Sequence, residues 1–550
     1  MAFNSTGTTS VLFGVGAAFL GVNYFHQLSV DQLIPMWDIA TFLNSPWQLA
    51  HYGIFTWIGG RPVANVITAS VVWLFHEDLA AVNCLSIIIF ATGLFFYHRM
   101  AKEVFGNSVD GLVLCMLLGM SYLVTFWVRN SVPYSLGITT AIIAAYFLVI
   151  QKKPLLITLL VAIGFLSHPS VIFLAISYTL FMLFTHYRKT RGFGWRTFFL
   201  PIGKHALVFL APIVTFDSMI RVNRFITFYP GDTSARGIIP TEIAARVPFA
   251  EPLYNVFGYL PDWLLKFLSN SDAGNINESY LRESWAYSFS SASTSWGQAT
   301  WFDGLSFYPK VIAYVENPII GVFILLSLAL LVARWKKIEF QKLRGVSLVL
   351  AFALAIVMIN ALRGGITVAR GIMVIYPIVL FVLYYVTRNV FVGKSLSGEP
   401  KSGGTIRIAA IAFVIMFLGY SLYYNTSLRS ATTPYWKIKT KLEAVAEKDI
   451  YVCSRNRILW SFLVNELARK QVVFITNQVE ADSFNASMSP KILIVCQYAD
   501  PKVPTYILTG NAAQVDTFSN EFSHLPITLA EGGVLSATEY KPNVTRVFTY

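Results

Sequence analysis

Apolar residues run through this chain in blocks near twenty residues long, separated by short polar turns. The blocks cover about 9–27, 79–97, 109–127, 135–150, 154–168, 170–186, 203–220, 316–334, 345–361, 371–387 and 406–424. A bilayer core of about 30 Å takes roughly 20 residues of helix, so the pattern predicts about eleven membrane helices. The first block lacks a basic lead and a small-residue cleavage site, so it reads as a membrane helix and not a signal peptide. One further apolar run, Val63 to Phe75, opens on Pro62 and is short for a crossing.

Charge decides how that short run is read. If Val63–Phe75 lies along the interface, the turns alternate cleanly in sign. The turns on the N-terminal side of the membrane then carry eighteen Lys and Arg, from Arg99 and Lys102 through Arg407. The short turns on the other side carry only Arg61, Arg129, Arg363 and Arg370. Lys and Arg collect on the cytoplasmic side, and counting Val63–Phe75 as a span would destroy the asymmetry. The reading is therefore a cytoplasmic N-terminus, a juxtamembrane helix at 63–75, and external loops at 28–78 and 221–315. The long 221–315 loop is expected to lay short helices over the membrane face. Residues 392–405, rich in Gly, Ser and Lys, read as a flexible cytoplasmic linker.

The periodicity changes near residue 430. Lys437–Glu447 and Ile458–Ala468 have helical spacing, whereas 449–453, 471–475 and 491–496 are short β-like runs. The alternation predicts a small extracytoplasmic α/β domain over 425–550, following a membrane domain over 1–424. Cys453 and Cys496 lie in that domain without metal-like spacing, and the sequence leaves open whether they pair.

Composition agrees with this class. Of 550 residues, 55% are hydrophobic and 13% charged, about half the charged share of a soluble domain. The net charge of +13 is accounted for by the cytoplasmic turns, which removes nucleic acid as the implied partner. The implied bulk partner is membrane lipid.

Ionisable residues are sparse on the external side, which makes those present informative. Asp31 and Asp38 stand seven residues apart, two turns of a helix. Asp38 is flanked by Trp37 and Ile39, an apolar setting that raises the basicity of a carboxylate able to accept a hydroxyl proton. Arg61 follows Gly59–Gly60, precedes Pro62, and is the one basic Lys or Arg in the first external loop. Its guanidinium suits a lipid phosphate. Arg129, His168, Arg363 and Arg370 sit at external turns and face the same side, which points to an anionic ligand. Glu278 and Glu283 in the long loop are secondary acidic candidates. No cluster has metal-ligand spacing and no phosphate-binding glycine loop occurs, so no cofactor is assigned and metal dependence stays open.

The order of these parts resembles the GT-C superfamily of membrane glycosyltransferases, which includes protein O-mannosyltransferase-like, aminoarabinose-transferase-like and phage-type glucosyltransferase-like families. A first helix leads to an external loop with Trp37–Asp38. Gly60–Arg61–Pro62 opens a juxtamembrane helix. A helix ending Tyr97–His98–Arg99 and an external turn with Arg129 follow. The resemblance covers roughly 1–190 by motif order and the remainder by architecture. It implies inverting transfer of a sugar from a polyprenyl-phosphate donor to a protein, lipid or glycan acceptor, in the plasma or bacterial inner membrane. Asp38 then falls on the catalytic carboxylate and Arg61 on the residue holding the lipid phosphate. Two departures stand out: Trp37–Asp38 replaces a paired acidic motif, and Ser131, Pro133 and Tyr134 follow Arg129 where an Asp is common. They keep a second reading in view, a catalytically silent subunit for assembly or acceptor binding. A transporter fits less well, because the polar residues gather at helix ends and the halves do not repeat.

Overall fold

A computed structural model describes residues 6–26, 37–53, 55, 61–151, 153–190, 194–228, 301–334, 338, 343–362, 373–392, 403–428, 433–446, 449–454, 457–475, 478–486, 491–496, 512–520 and 543–550. The membrane part comprises α1 (Thr6–Phe25), α2 (Trp37–Tyr52), α3 (Pro62–Leu74), α4 (Leu79–Phe105), α5 (Ser108–Gly119), α6 (Tyr122–Asn130), α7 (Val132–Val149), α8 (Pro154–Ser167), α9 (Ile172–Thr190), α10 (Leu200–Phe228), α11 (Trp301–Tyr314), α12 (Pro318–Arg334), α13 (Arg344–Leu362), α14 (Tyr376–Val392) and α15 (Gly403–Tyr423). Each of the eleven predicted blocks falls on one of these helices or, for 109–127, on two. Among the described residues, Leu79–Phe105, Val132–Val149 and Trp195–Phe216 are long and apolar enough to cross a membrane alone. The pair α5 and α6 is apolar enough only when taken together, and is bent by 70° at its break.

Helix ends follow local chemistry. Asp78 caps α4 by accepting the Ala80 N–H at 2.8 Å, and Gly106 closes it in the left-handed conformation at φ 77°. Asn107 opens α5 by accepting the Asp110 N–H at 2.9 Å. The run 109–127, expected as one helix, breaks after Gly119. Ser121 there caps a new helix, its hydroxyl accepting the Val124 N–H at 3.4 Å. Pro62 and Pro133 occupy first-turn positions of α3 and α7, where a missing N–H costs nothing. At 13 residues, α3 rises only about 20 Å, too little for the bilayer core. It buries Ala64, Asn65, Thr68 and Val72 against the bundle and exposes Trp73, Leu74 and Phe75.

After a π-helical turn at Tyr424–Leu428 come α16 (Tyr435–Ala444), β1 (Asp449–Cys453), α17 (Arg457–Ser461) with a π-helical turn at Phe462–Leu467, β2 (Gln471–Phe474), α18 (Gln478–Ala486), β3 (Ile492–Cys496), β4 (Gln514–Asn520) and β5 (Asn543–Thr549). The sheet order is β2-β1-β3-β5-β4. The first three strands are parallel, as helical crossovers require, and β5 and β4 add antiparallel partners. The three predicted strands are present; β4 and β5 extend the sheet beyond the sequence reading.

The sheet answers the cysteine question. Cys453 pairs in register with Val495 on the neighbouring strand, so Cys496, one residue on, points to the opposite face. Cys453 packs with Ile475, Phe484 and Leu493 on one face, while Cys496 joins the larger core on the other. Both are free and buried. Burial pushes the Cys453 thiol up to about 12 and the Cys496 thiol up to about 11. A thiol reagent at pH 8 is therefore expected to modify neither in the folded protein and both after denaturation, read by mass spectrometry of the labelled chain.

The C-terminal domain docks on α2. Trp47, fully buried, meets Phe462 edge to face at 5.4 Å. Glu77 sits between α3 and α4 with φ 69°, next to His76 at φ 50°. These are costly conformations for residues with a Cβ. The Glu77 carboxylate pairs with Arg469 of the domain and with His51 of α2 at 3.2 Å. The strained turn, α2 and the domain thus meet at one ion cluster.

Candidate functional site

The first turn of α2 carries Trp37 and Asp38. The first turn of a helix is the positive end of its dipole. Phe42 lies four residues on, so backbone geometry puts it on the same helix face as Asp38. Phe42 is buried and is the hub of the site. The Arg61 guanidinium lies 4.0 Å over its ring. The Trp127 and Tyr134 rings stand 6.4 and 5.9 Å from it. Tyr134 in turn stacks on Trp127 at 4.5 Å and on His168 at 4.1 Å.

Each side chain is placed by a helix end. Arg61 occupies the cap position of α3, immediately before Pro62, and is half-buried. Trp127 sits in the last turn of α6 and Tyr134 in the first turn of α7. His168 caps the C-terminus of α8 and is buried. Its Nδ1 accepts the Ser170 N–H at 3.1 Å, which leaves the proton of the neutral ring on Nε2. Four helix ends thus converge in an aromatic wall with a guanidinium and an imidazole set into it. Cation–π contact holds a guanidinium flat against a ring.

The structure brings Arg61 and His168 onto this wall, one helical turn from the position of Asp38. It places Arg129 elsewhere. The Arg129 Nε donates to Thr125 O at 3.3 Å and Nη1 to Asn23 O at 3.4 Å, and the residue is buried. Its guanidinium ties α6 to α1, and it reaches the wall through Trp127 on its own helix. The remaining sequence candidates Asp31, Glu278, Glu283, Arg363 and Arg370 lie outside the described residues.

Glu316 was not singled out from sequence, because it was absorbed into the apolar block 316–334. It is fully buried in the turn between α11 and α12. One carboxylate oxygen accepts the Tyr122 and Asn317 N–H groups at 2.8 and 2.6 Å. The other accepts the Ser121 and Tyr376 hydroxyls at 2.5 and 2.6 Å. The carboxylate sits on the N-terminus of α6, where free N–H groups and the helix dipole favour an anion. The opposite side of the break is closed by side-chain amides. Asn23 Nδ2 donates to Gly119 O at 3.2 Å, and Asn425 Nδ2 to Met120 O at 3.2 Å. These bonds supply the partners that a helix break inside a membrane bundle demands. The signal for Glu316 was an acidic residue directly before Asn317–Pro318, a helix start.

A second ionic knot holds the far end of the bundle. Asp110 accepts from Arg388 Nε at 2.9 Å, from the Tyr384 hydroxyl at 2.6 Å and from Asn107 Nδ2 at 2.6 Å. It joins α5 to α14 well away from the aromatic wall. No group of three or more His, Cys, Asp or Glu disposed to hold a metal occurs among the described residues.

Residues 60–216 match the family described as dolichyl-phosphate-mannose-protein mannosyltransferase. That segment contains Arg61, Arg129 and His168. The fold is similar to that of the Archaeoglobus fulgidus oligosaccharyltransferase in its apo form, with a TM-score of 0.51 and 11% identity over 90% of this chain and 70% of that one. Apo ArnT from Cupriavidus metallidurans aligns over 98% of both chains at 11% identity, with a TM-score of 0.42. No curated protein matches the chain in sequence.

Proposed function

We propose that this multi-pass membrane protein, whose fold is that of the GT-C glycosyltransferases, transfers a sugar from a polyprenyl-phosphate donor to an acceptor hydroxyl or amide on the external face of the membrane. The observation that carries the reading is the convergence of Arg61, His168 and the first turn of α2 on one aromatic wall, within and beside the segment that matches the mannosyltransferase family. The Lys and Arg asymmetry of the turns supports the external placement.

In this reading Asp38 accepts the proton of the acceptor as its oxygen or nitrogen attacks the anomeric carbon. The bond from that carbon to the phosphate oxygen breaks, and the electron pair leaves with the lipid phosphate. Attack opposite the leaving group inverts the anomeric centre. Arg61 neutralises the charge gathering on the phosphate, where a preorganised guanidinium is most effective. His168, through its Nε2 proton, is a second donor to the same anion. Phe42 and Tyr134 keep the guanidinium and the imidazole in place and exclude water from the leaving group. Trp37 and the residues after Arg129 depart from the motifs of active relatives. They favour the second reading, a subunit that binds donor or acceptor without turnover.

One assay separates the two. Purified full-length protein in membranes is given a polyprenyl-phosphate-mannose donor and acceptor peptides, glycans or lipids, and sugar transfer is followed. Turnover supports the first reading; saturable donor binding with no product supports the second. In either case Arg61→Ala is expected to weaken donor binding by about 2 kcal/mol, roughly thirtyfold. Arg61→Lys recovers only part of it, because an ammonium lacks the fork and the flat stacking on Phe42. An Arg61→Ala protein that binds donor as tightly as wild type removes Arg61 from the site.

A further inference from the structure

A cavity lies at the other end of the bundle. It holds about 520 Å³ and lies between the α7–α8 turn, the C-terminal half of α9 and the start of α13. Tyr134, on the aromatic wall, is in the first turn of α7, whereas Leu148 and Val149, on this cavity, are in its last. At 1.5 Å per residue the two sites are separated by roughly 20 Å along that helix. The cavity therefore lies at the end of the bundle that collects Lys and Arg, and is distinct from the candidate active site.

Its lining is divided in two. Leu148, Phe181 and Met182 make an apolar trough between helices. Its floor is tight: a Cβ on Gly345 would stand 3.2 Å from Leu148 Cγ and 3.5 Å from Phe181 Cζ, so α13 crosses α7 and α9 in close contact. Arg188 and Lys189 form the rim, in the last turn of α9, and both are exposed. Neither forms an ion pair with a carboxylate among the described residues. Their position at a helix C-terminus satisfies the dipole but leaves the ammonium and guanidinium donors directed to the surface.

An interhelical trough with an apolar floor and an unneutralised basic rim matches one class of ligand: an amphiphile whose acyl chain enters between helices and whose anionic phosphate remains at the rim. Volumes of 300–1,000 Å³ are those of ligand sites, not of packing faults, and basic pockets between membrane helices on the cytoplasmic side take anionic lipid headgroups. We infer that the cavity between α7, α9 and α13 binds an anionic phospholipid, with Arg188 and Lys189 holding its phosphate. The lipid would fasten α13 to α7 and α9 at the end of the bundle opposite the aromatic wall.

The test uses the full-length protein in detergent, titrated with 1-palmitoyl-2-oleoyl phosphatidylglycerol or the matching phosphatidylcholine and read by native mass spectrometry. Wild type is expected to bind phosphatidylglycerol about thirtyfold more tightly, from two basic contacts of about fivefold each. Arg188→Gln with Lys189→Gln, both at exposed positions, should abolish the preference. Thr185→Trp, which fills the trough and keeps both charges, should weaken the binding of both lipids. Inorganic phosphate at millimolar concentration should not displace the bound lipid. Equal binding of the two lipids by wild type, a preference that survives the double substitution, or displacement by inorganic phosphate would each overturn the assignment.

Discussion

Asp38→Asn is expected to lower sugar transfer by 10²–10⁴-fold without changing the fold, the range that a positioned general base contributes. The amide keeps the volume and the hydrogen-bonding reach of the carboxylate but cannot carry away a proton. Position 38 lies in the first turn of α2, where Asn and Asp have similar helix propensity and loss of the charge costs at most about 1 kcal/mol of dipole interaction. The measurement is single-turnover transfer from a saturating donor, with donor affinity followed separately. Loss of rate with donor affinity kept places the carboxylate on the acceptor side of the reaction. Full activity in a folded Asp38→Asn protein would move the base to another residue.

Glu316→Ala should have the largest effect on stability, about 3–5 kcal/mol. Four donors lose their shared acceptor at once: the N–H groups of Tyr122 and Asn317 and the hydroxyls of Ser121 and Tyr376. All lie where water cannot replace the carboxylate, and each unsatisfied group costs about 1–3 kcal/mol, with incomplete additivity and some relief by relaxation. Glu316→Gln should cost less, because one carbonyl oxygen remains to receive the two backbone donors. The order wild type, Gln, Ala in thermal unfolding midpoint in one detergent is the check. An Ala variant as stable as wild type would show that the α5–α6 break finds its partners elsewhere. The effect should also reach the site, because α6 carries Trp127 of the aromatic wall and the same carboxylate fixes where that helix begins.

Much of this architecture was legible in sequence because its signals are local. A block of twenty apolar residues has few alternatives to a helix. A Pro-opened run of thirteen, Val63–Phe75, was legible as too short to cross, and α3 has that length. The three parallel strands announced themselves as Ile- and Val-rich runs between helical stretches. The antiparallel pair β4 and β5 did not, since Gln514–Asn520 and Asn543–Thr549 alternate polar with apolar and carry Asn, Asp and Thr. Gly119 and Ser121 were a visible stop and start inside the block 109–127, outweighed by the apolarity around them. The site was legible to the extent that Arg61 and His168 stand at helix ends on one side. What no local pattern encodes is pairing at a distance. Glu316 meets Ser121 across 195 residues, and Arg129 meets Asn23 across 106. The first partnership hides an acid in an apolar block, and the second gives an arginine in the last turn of a helix a structural duty.

The docking of the C-terminal domain on α2 bears on how the molecule unfolds. A helix of 16 residues with Pro46 in its interior is marginal on its own in water. Here it is gripped from two sides, by Phe42 against the membrane bundle and by Trp47 against Phe462 of the domain. The helix that carries Asp38 and the C-terminal sheet domain, hundreds of residues apart in sequence, are therefore parts of one cooperative unit. Melting of the domain withdraws support from α2, and loosening of α2 exposes the Trp47 seat of the domain. Domain and bundle should lose structure in a single transition.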